Sequence, residues 1–121
     1  MIGIFSVDGT RRLGNTGFHL WGQSVEQRMA EIGMWVSAEE AGKGLATQVL
    51  KQMLQWGFTA WPWVRLEWRC DTRNVASAAV ARKAGMTLEG TLRQAMIAPD
   101  GNYVDVHVFS MLRDEYSRNS A

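Results

Sequence analysis

A single cysteine, Cys70, stands in 121 residues, which excludes an internal disulfide and suits a reducing cytoplasm. It reads as a strand residue rather than a nucleophile. Neither sign of charge is in excess. Thirteen Lys and Arg against 12 Asp and Glu leave a net charge of +1, unlike the basic balance of a nucleic-acid binder. No apolar run is long enough to cross a bilayer, and Met1–Val7 is too short for a signal peptide, so neither a nucleic-acid nor a membrane partner is expected. The two histidines, His19 and His107, are isolated from one another and make a poor metal set; each reads as a sheet-face residue, and no metal is expected. There is no internal repeat, linker or low-complexity segment. What remains is a 46% apolar chain, long enough for one domain with a modest core. Its six Trp and seven Met are many for the length; most should be core, and some should line a groove or a subunit contact.

The most informative stretch is residues 31–58. Glu31–Val36 is short, apolar-rich and ends on a β-branched residue, as a strand would. Ser37–Lys43 is polar and small. From Gly44 onward, Leu45, Val49 and Met53 recur every four residues with Leu50 and Leu54 beside them, one broad apolar stripe at helical period. The turn therefore delivers Gly42 and Gly44 to a helix start. Unpaired backbone N–H groups and the positive end of the helix dipole favour an anion there, and a glycine lets a phosphate approach without a Cβ in the way. The same residues also fit a plain tight turn. Two nucleotide-binding patterns are excluded. In the P-loop, Gly-Lys is followed by Ser or Thr, whereas Gly42 and Lys43 are followed by Gly44, and position 37 holds Ser rather than the first glycine. The third glycine of the dinucleotide fingerprint would fall at Thr47.

In chain order, Met1–Val7 reads as a strand, Asp8 and Gly9 as a hairpin turn, and Leu13–Trp21 as a second strand with bulges marked by Gly14 and Gly17. A polar loop, Gly22–Arg28, leads to a third strand, Met29–Val36, which completes an antiparallel meander. Past the long helix, Pro62 bars continuation and Val64–Cys70 alternates as a strand. Strand–helix–strand order predicts that it lies parallel to the third strand through a right-handed crossover. Asn74 caps a second helix running to Ala84, with Gly85 as its stop and Val80, Ala81 and Ala84 as its apolar face. Leu88–Ile97 and Tyr103–Leu112 are strands joined by a turn over 99–102, with Val104, Val106 and Val108 on one face. Arg113–Ala121 reads as a polar tail.

Taken together, these segments resemble the GNAT superfamily of acyl-CoA-dependent N-acetyltransferases, and within it the Rim-type group that acetylates the N-termini of ribosomal proteins. The resemblance rests on AEIGMWV at 30–36, EEAGKG at 39–44, NVAS at 74–77, KAGM at 83–86, LEGTLRQ at 88–94, DGNYVD at 100–105 and SMLRDEY at 110–116, in family order over nearly the whole chain. It implies an α/β domain over residues 1–116 (α+β by some schemes), followed by a polar tail over 117–121. Its sheet would be mixed and mostly antiparallel, with splayed central parallel strands and flanking helices, N-terminally short. It further implies acetyl-CoA as cosubstrate, with the acceptor amine attacking the thioester directly. The backbone of Trp35 and Val36 would pair with the pantetheine arm. The N–H groups of Ala41, Gly42, Lys43, Gly44, Leu45 and Ala46 would hold the pyrophosphate, and Asn74 would order its loop and touch the coenzyme. Ser77 lies where this group places a serine beside the coenzyme sulfur. It reads either as the hydroxyl donor to the leaving thiolate or as a first-turn residue in a capping arrangement with Asn74. Glu31 reads either as a base acting through water or as a strand carboxylate paired with Arg or Lys.

Four positions depart from the family pattern. Glu39 and Ala41 stand where Gln or Arg is common, the usual tyrosine acid falls at Ala81, and the acidic residue of the Rim-type group falls at Met96. The chain also starts at the family's second strand, without the first strand and two helices that wall the acceptor site. An exposed edge and apolar surface then predict a homodimer. The reading is a cytoplasmic acetyltransferase acting on a primary amine, either a protein N-terminus or a small amine such as a polyamine. Its rival is a non-catalytic acyl-CoA-binding or dimerisation module of the same fold.

Overall fold

The computed structural model describes residues 2–6, 8–20, 25–40 and 42–120. Strands β1 (Ile2–Phe5), β2 (Arg12–His19) and β3 (Met29–Val36) form the expected antiparallel meander. Helix α1 (Leu45–Thr59) crosses to β4 (Arg65–Asp71), which lies parallel to β3. Helix α2 (Val75–Lys83) is followed by the hairpin β5 (Thr87–Ile97) and β6 (Tyr103–Leu112), and α3 (Arg113–Ser120) completes the described chain. Among the described residues the six strands make one sheet in the order β1-β2-β3-β4-β6-β5, in which β3 and β4 are the one parallel pair.

The described helices share one face of the sheet. Leu50, Met53, Leu54 and Phe58 of α1 meet Ala30, Ile32, Leu66, Trp68, Phe109 and Met111 from the strands, with Ala78 and Ala81 of α2 closing the core. Gly57 brings α1 down onto the sheet: a Cβ there would come 2.8 Å from Leu66 Cδ1 and 3.1 Å from the Phe18 ring. Val80 and Ala84, expected on the apolar face of α2, are partly buried, while Ala78 is fully so. On the opposite face, Arg65, Glu67 and Arg69 of β4 alternate with these core residues, as period-2 geometry requires.

Several segments differ from expectation. The register irregularity of β2 falls beside Gly14, between the pairs Ile4↔Gly14 and Phe5↔Arg12, whereas Gly17 sits in regular register opposite Gly33. Gly14 is required by contact, since a Cβ there would lie 2.0 Å from the Trp35 carbonyl oxygen. Within the expected loop over 22–28, Val25–Gln27 makes a 3-10 turn; Trp21–Ser24 lie outside the described residues. The expected polar tail is instead α3. Tyr116 packs its ring 5.4 Å from that of Phe58, and Glu115 Oε1 accepts the Leu112 N–H at 2.8 Å, so one aromatic and one capping carboxylate order an otherwise polar sequence. Arg113, which opens α3, donates at 2.8 Å to the carbonyls of Phe58, Trp61 and Trp63 and so satisfies the chain that leaves α1.

Candidate active site

Pairing between β3 and β4 covers three residues only, Met29–Glu31 against Arg65–Glu67. Beyond them the two strands part. Ile32–Val36 keep their β2 partners on one side, while β4 continues as a partner of β6. The opening between the strands holds two cavities of about 360 and 540 Å³. They share four lining residues: Met34 from β3, Trp68 from β4, and Asn74 and Ser77 from the start of α2.

The glycine turn forms the mouth of the first cavity, where Val36, Gly42, Gly44, Leu45 and Ala46 line the wall. Gly42 and Gly44 have φ of 79° and 80°, and no heavy atom lies within 4 Å of a Cβ built on either. Backbone conformation, not crowding, therefore demands glycine here. Gly44 is the N-cap of α1 and supplies no side-chain cap for the first-turn N–H groups, whose residues Leu45, Ala46 and Thr47 line the cavity. The Lys43 N–H turns back toward the Glu40 carbonyl at 3.4 Å. Neither Lys43 nor Trp35 lines the cavity; Trp35 is 56% exposed. Ala41 lies outside the described residues.

Two carboxylates flank this turn, and sequence reasoning missed their partner. Arg11, from the β1–β2 turn, stands 3.9 Å from Glu39 and 3.7 Å from Glu40. The Glu39 side chain is 83% exposed and does not line the cavity, whereas Glu40 lines it and also meets Lys43 Nζ at 3.9 Å. No local pattern joins Arg11 to residues about thirty positions on.

Ser77 sits on the wall between the two cavities. The N-cap Asn74 accepts the Ser77 N–H through Oδ1 at 3.0 Å, and the Trp68 indole Nε1–H donates to Ser77 Oγ at 3.1 Å and to the Ser77 carbonyl at 3.2 Å. The capping arrangement with Asn74 is thus present, and Ser77 also lines both cavities. Cys70 is buried beside it, and burial pushes the thiol above its ordinary range, partly offset by a hydrogen bond with Ser77 and by the charge of Arg82.

The second cavity holds Glu31, Arg69, Asp71 and an apolar wall that includes Met96 and Pro99. Arg69 Nε lies 3.0 Å from Glu67 and 3.7 Å from Glu31, so Glu31 both faces the cavity and belongs to a charge ladder along β4. Arg65 extends the ladder to Glu67 and Glu89, and its guanidinium is the main cause holding the Glu89 carboxyl below its ordinary range. Arg73 clasps Asp71 at 2.8 Å and Asp100 at 3.0 Å and ties the β5–β6 turn to the end of β4. A kink in β5 presents Met96 to the cavity. Gln94 has φ of 47°, and its N–H is held by Asp105 Oδ1 at 2.8 Å, where the register slips between Leu92 and Met96. His19 lies against Gly33, and His107 bonds Thr91 through Nδ1 at 2.8 Å; neither lines either cavity. Ala81 is fully buried in the core. Among the described residues, no group of three His, Cys, Asp or Glu is placed to hold a metal. The opening thus has a helix N-terminus at one end, the Ser77 hydroxyl in the middle and a carboxylate on the far side.

A family model described as an acetyltransferase (GNAT) domain matches residues 2–87. The chain is 31% identical over 87 residues to the ribosomal-protein-serine acetyltransferase of Escherichia coli, spanning 72% of this chain and 48% of that protein. It is 37% identical over 65 residues to the spermidine N(1)-acetyltransferase of the same organism, spanning 54% and 35%. A solved structure of a probable acetyltransferase (GNAT family) from Chromobacterium violaceum superposes with a TM-score of 0.77 at 40% identity, covering 91% of this chain and 54% of that one. The chain spans 57% and 61% of the length of the first two curated relatives it matches, both of them N-acetyltransferases.

Proposed function

Because this chain belongs to the GNAT acetyltransferase family, we propose that it moves acetyl from acetyl-CoA directly to a primary amine. The observation that carries this reading is the meeting of two cavities at Ser77, one entered past a helix N-terminus and the other lined by a carboxylate. In this reading the pyrophosphate rests on the turn from Ala41 to Ala46, including Gly42, Lys43, Gly44 and Leu45. The pantetheine arm runs beside Trp35 and Val36, and Asn74 orders the wall it passes. The thioester carbonyl lies near Ser77. The amine arrives through the second cavity, where Glu31 takes its proton through a water. Nitrogen then bonds to the carbonyl carbon, the C–S bond breaks, and the Ser77 hydroxyl protonates the leaving sulfur; water returns a proton to Ser77, and Glu31 releases the amine proton to water.

A protein N-terminus is the first acceptor to test, supported by the likeness to a ribosomal-protein acetyltransferase. The likeness to a spermidine acetyltransferase keeps small polyamines as the second. The protein is cytoplasmic in this reading, as its lone cysteine suits. It acts as a homodimer, a proposal supported by β5, an edge strand whose eleven residues are all exposed, Leu88, Leu92, Met96 and Ile97 among them.

Titration with acetyl-CoA by calorimetry, followed by thiol release in the presence of peptide amines and polyamines, tests the proposal. One-to-one binding with amine-dependent release of CoA is expected. Binding without release under any amine would replace it with a non-catalytic acyl-CoA-binding module, and no binding would overturn the coenzyme site.

A further inference from the structure

We infer that Trp68 is a positioning residue for the acetyl transfer: its indole N–H orients the Ser77 hydroxyl and strengthens it as a proton donor. This rests on the reading of Ser77 as the donor to the leaving sulfur. Trp68 is the first β4 residue beyond the three that pair with β3, so it stands at the point where the strands part. It is 7% exposed and lines both cavities.

An indole nitrogen can only donate. At 3.1 Å from Ser77 Oγ it occupies one lone pair, and through the carbonyl at 3.2 Å it holds the first turn of α2 as well. A serine hydroxyl has one proton and rotates freely unless a partner fixes it. With one lone pair filled by the indole and the Ser77 backbone pinned by Asn74, the hydroxyl proton is directed away from Trp68. A thiolate formed in the opening that Ser77 lines would be an acceptor for it. Donation into the oxygen also polarises the O–H bond, as neighbouring hydrogen bonds do in a chain. The indole thus neither touches the substrate nor takes part in bond exchange; it acts through Ser77.

A double-mutant cycle tests this. Trp68→Phe keeps an aromatic ring in the core and removes the N–H. Its kcat should fall about tenfold while the KM for acetyl-CoA stays within about twofold, because the lost bond matters only as sulfur charge develops. Combined with Ser77→Ala, the second substitution should cost no further rate. An equal loss from Trp68→Phe in the wild-type and Ser77→Ala backgrounds would overturn the inference in favour of packing alone. Should Ser77→Ala by itself leave kcat unchanged, the donor reading fails, and the role of Trp68 with it. A second measurement does not depend on the folding of the Trp68 variant. The indole N–H resonance assigned to Trp68 in an ¹⁵N spectrum should shift when Ser77→Ala removes one of its two acceptors. An unmoved resonance would show that the bond is absent and overturn the proposal.

Discussion

Substitution of Gly44 distinguishes an anion cradle from a plain tight turn. Gly44 has φ of 80°, and a Cβ would meet no heavy atom within 4 Å, so the cost of Gly44→Ala is conformational and not steric. A left-handed backbone costs an alanine about 1–2 kcal/mol, and the loss of glycine's freedom in the unfolded chain returns about 0.5 kcal/mol. The net loss is therefore about 1 kcal/mol, or a fall in Tm of about 4 °C for a domain of this size. Gly44→Asn should cost less, because asparagine tolerates this region better. If the turn serves only to reverse the chain, acetyl-CoA affinity should follow stability and Asn should recover it. If the first-turn N–H groups bind pyrophosphate, either side chain stands where the anion approaches, and Kd should rise at least about tenfold for both. Urea unfolding and calorimetric titration of the three proteins measure the two quantities separately. Unchanged acetyl-CoA affinity in a folded Gly44→Asn protein would refute the cradle.

Arg11→Ala should raise the KM for acetyl-CoA several-fold with kcat unchanged, since Glu40 then faces the cavity without its guanidinium partner; adding Glu40→Gln should restore most of the loss in steady-state kinetics at low salt. Arg113→Ala should cost about 3 kcal/mol in urea unfolding, because three carbonyls lose a charged donor at once, and Arg113→Lys should recover little because an ammonium lacks the planar fork. Glu31→Gln separates base from ion pair: the base reading predicts a kcat/KM loss of about a hundredfold, while the pair reading predicts a stability change under about 1 kcal/mol and little else, since Arg69 keeps Glu67 at 3.0 Å. Acid should weaken the clasp at the β5–β6 turn. Arg73 is the first cause of the lowered Asp71 carboxyl, and the Asn102 N–H followed by Arg73 lowers that of Asp100. Groups with depressed pKa stabilise the fold above the unfolded value of 3.8 and lose that contribution as pH falls through the folded values. The urea midpoint should thus drop below about pH 4, and drop less in Arg73→Met.

Local chemistry made much of the fold legible. Met29–Val36 falls where the apolar pattern put it, and the helix after Gly44 follows its four-residue stripe. Asn74 and Gly85 mark the ends of α2 because capping is decided within a few residues. What stayed hidden depends on distant partners. The polar sequence of α3 gives no sign that Tyr116 will find Phe58 or that Arg113 will close the end of α1. Gly14 and Gly17 looked alike in sequence, yet the register slips beside Gly14 and stays regular at Gly17. Arg11 and Trp68 were missed for the same reason: one needs the β1–β2 turn beside the glycine turn, and the other needs the strand opening with α2 above it.

The parting of β3 from β4 gives the opening its chemistry. A strand inside a sheet ordinarily has both edges paired, and unpaired backbone groups in a partly buried place are costly unless water or a ligand satisfies them. Ile32–Val36 keep β2 on one side and have no β4 pairing on the other. An internal edge of this kind suits an extended ligand that carries amides of its own, as an added strand would, and the pantetheine arm is such a ligand. A free outer edge would serve that purpose less well, because a partner chain can pair with it too. Helices α1 and α2 pack together on one face of the sheet, and in the proposed reading the glycine turn after β3 would hold the pyrophosphate at the end of the arm. Polar backbone left open in the sheet and a positive helix end beside it thus favour the same ligand, and the proposed reading would set its reacting group near Ser77, which lines the opening between them.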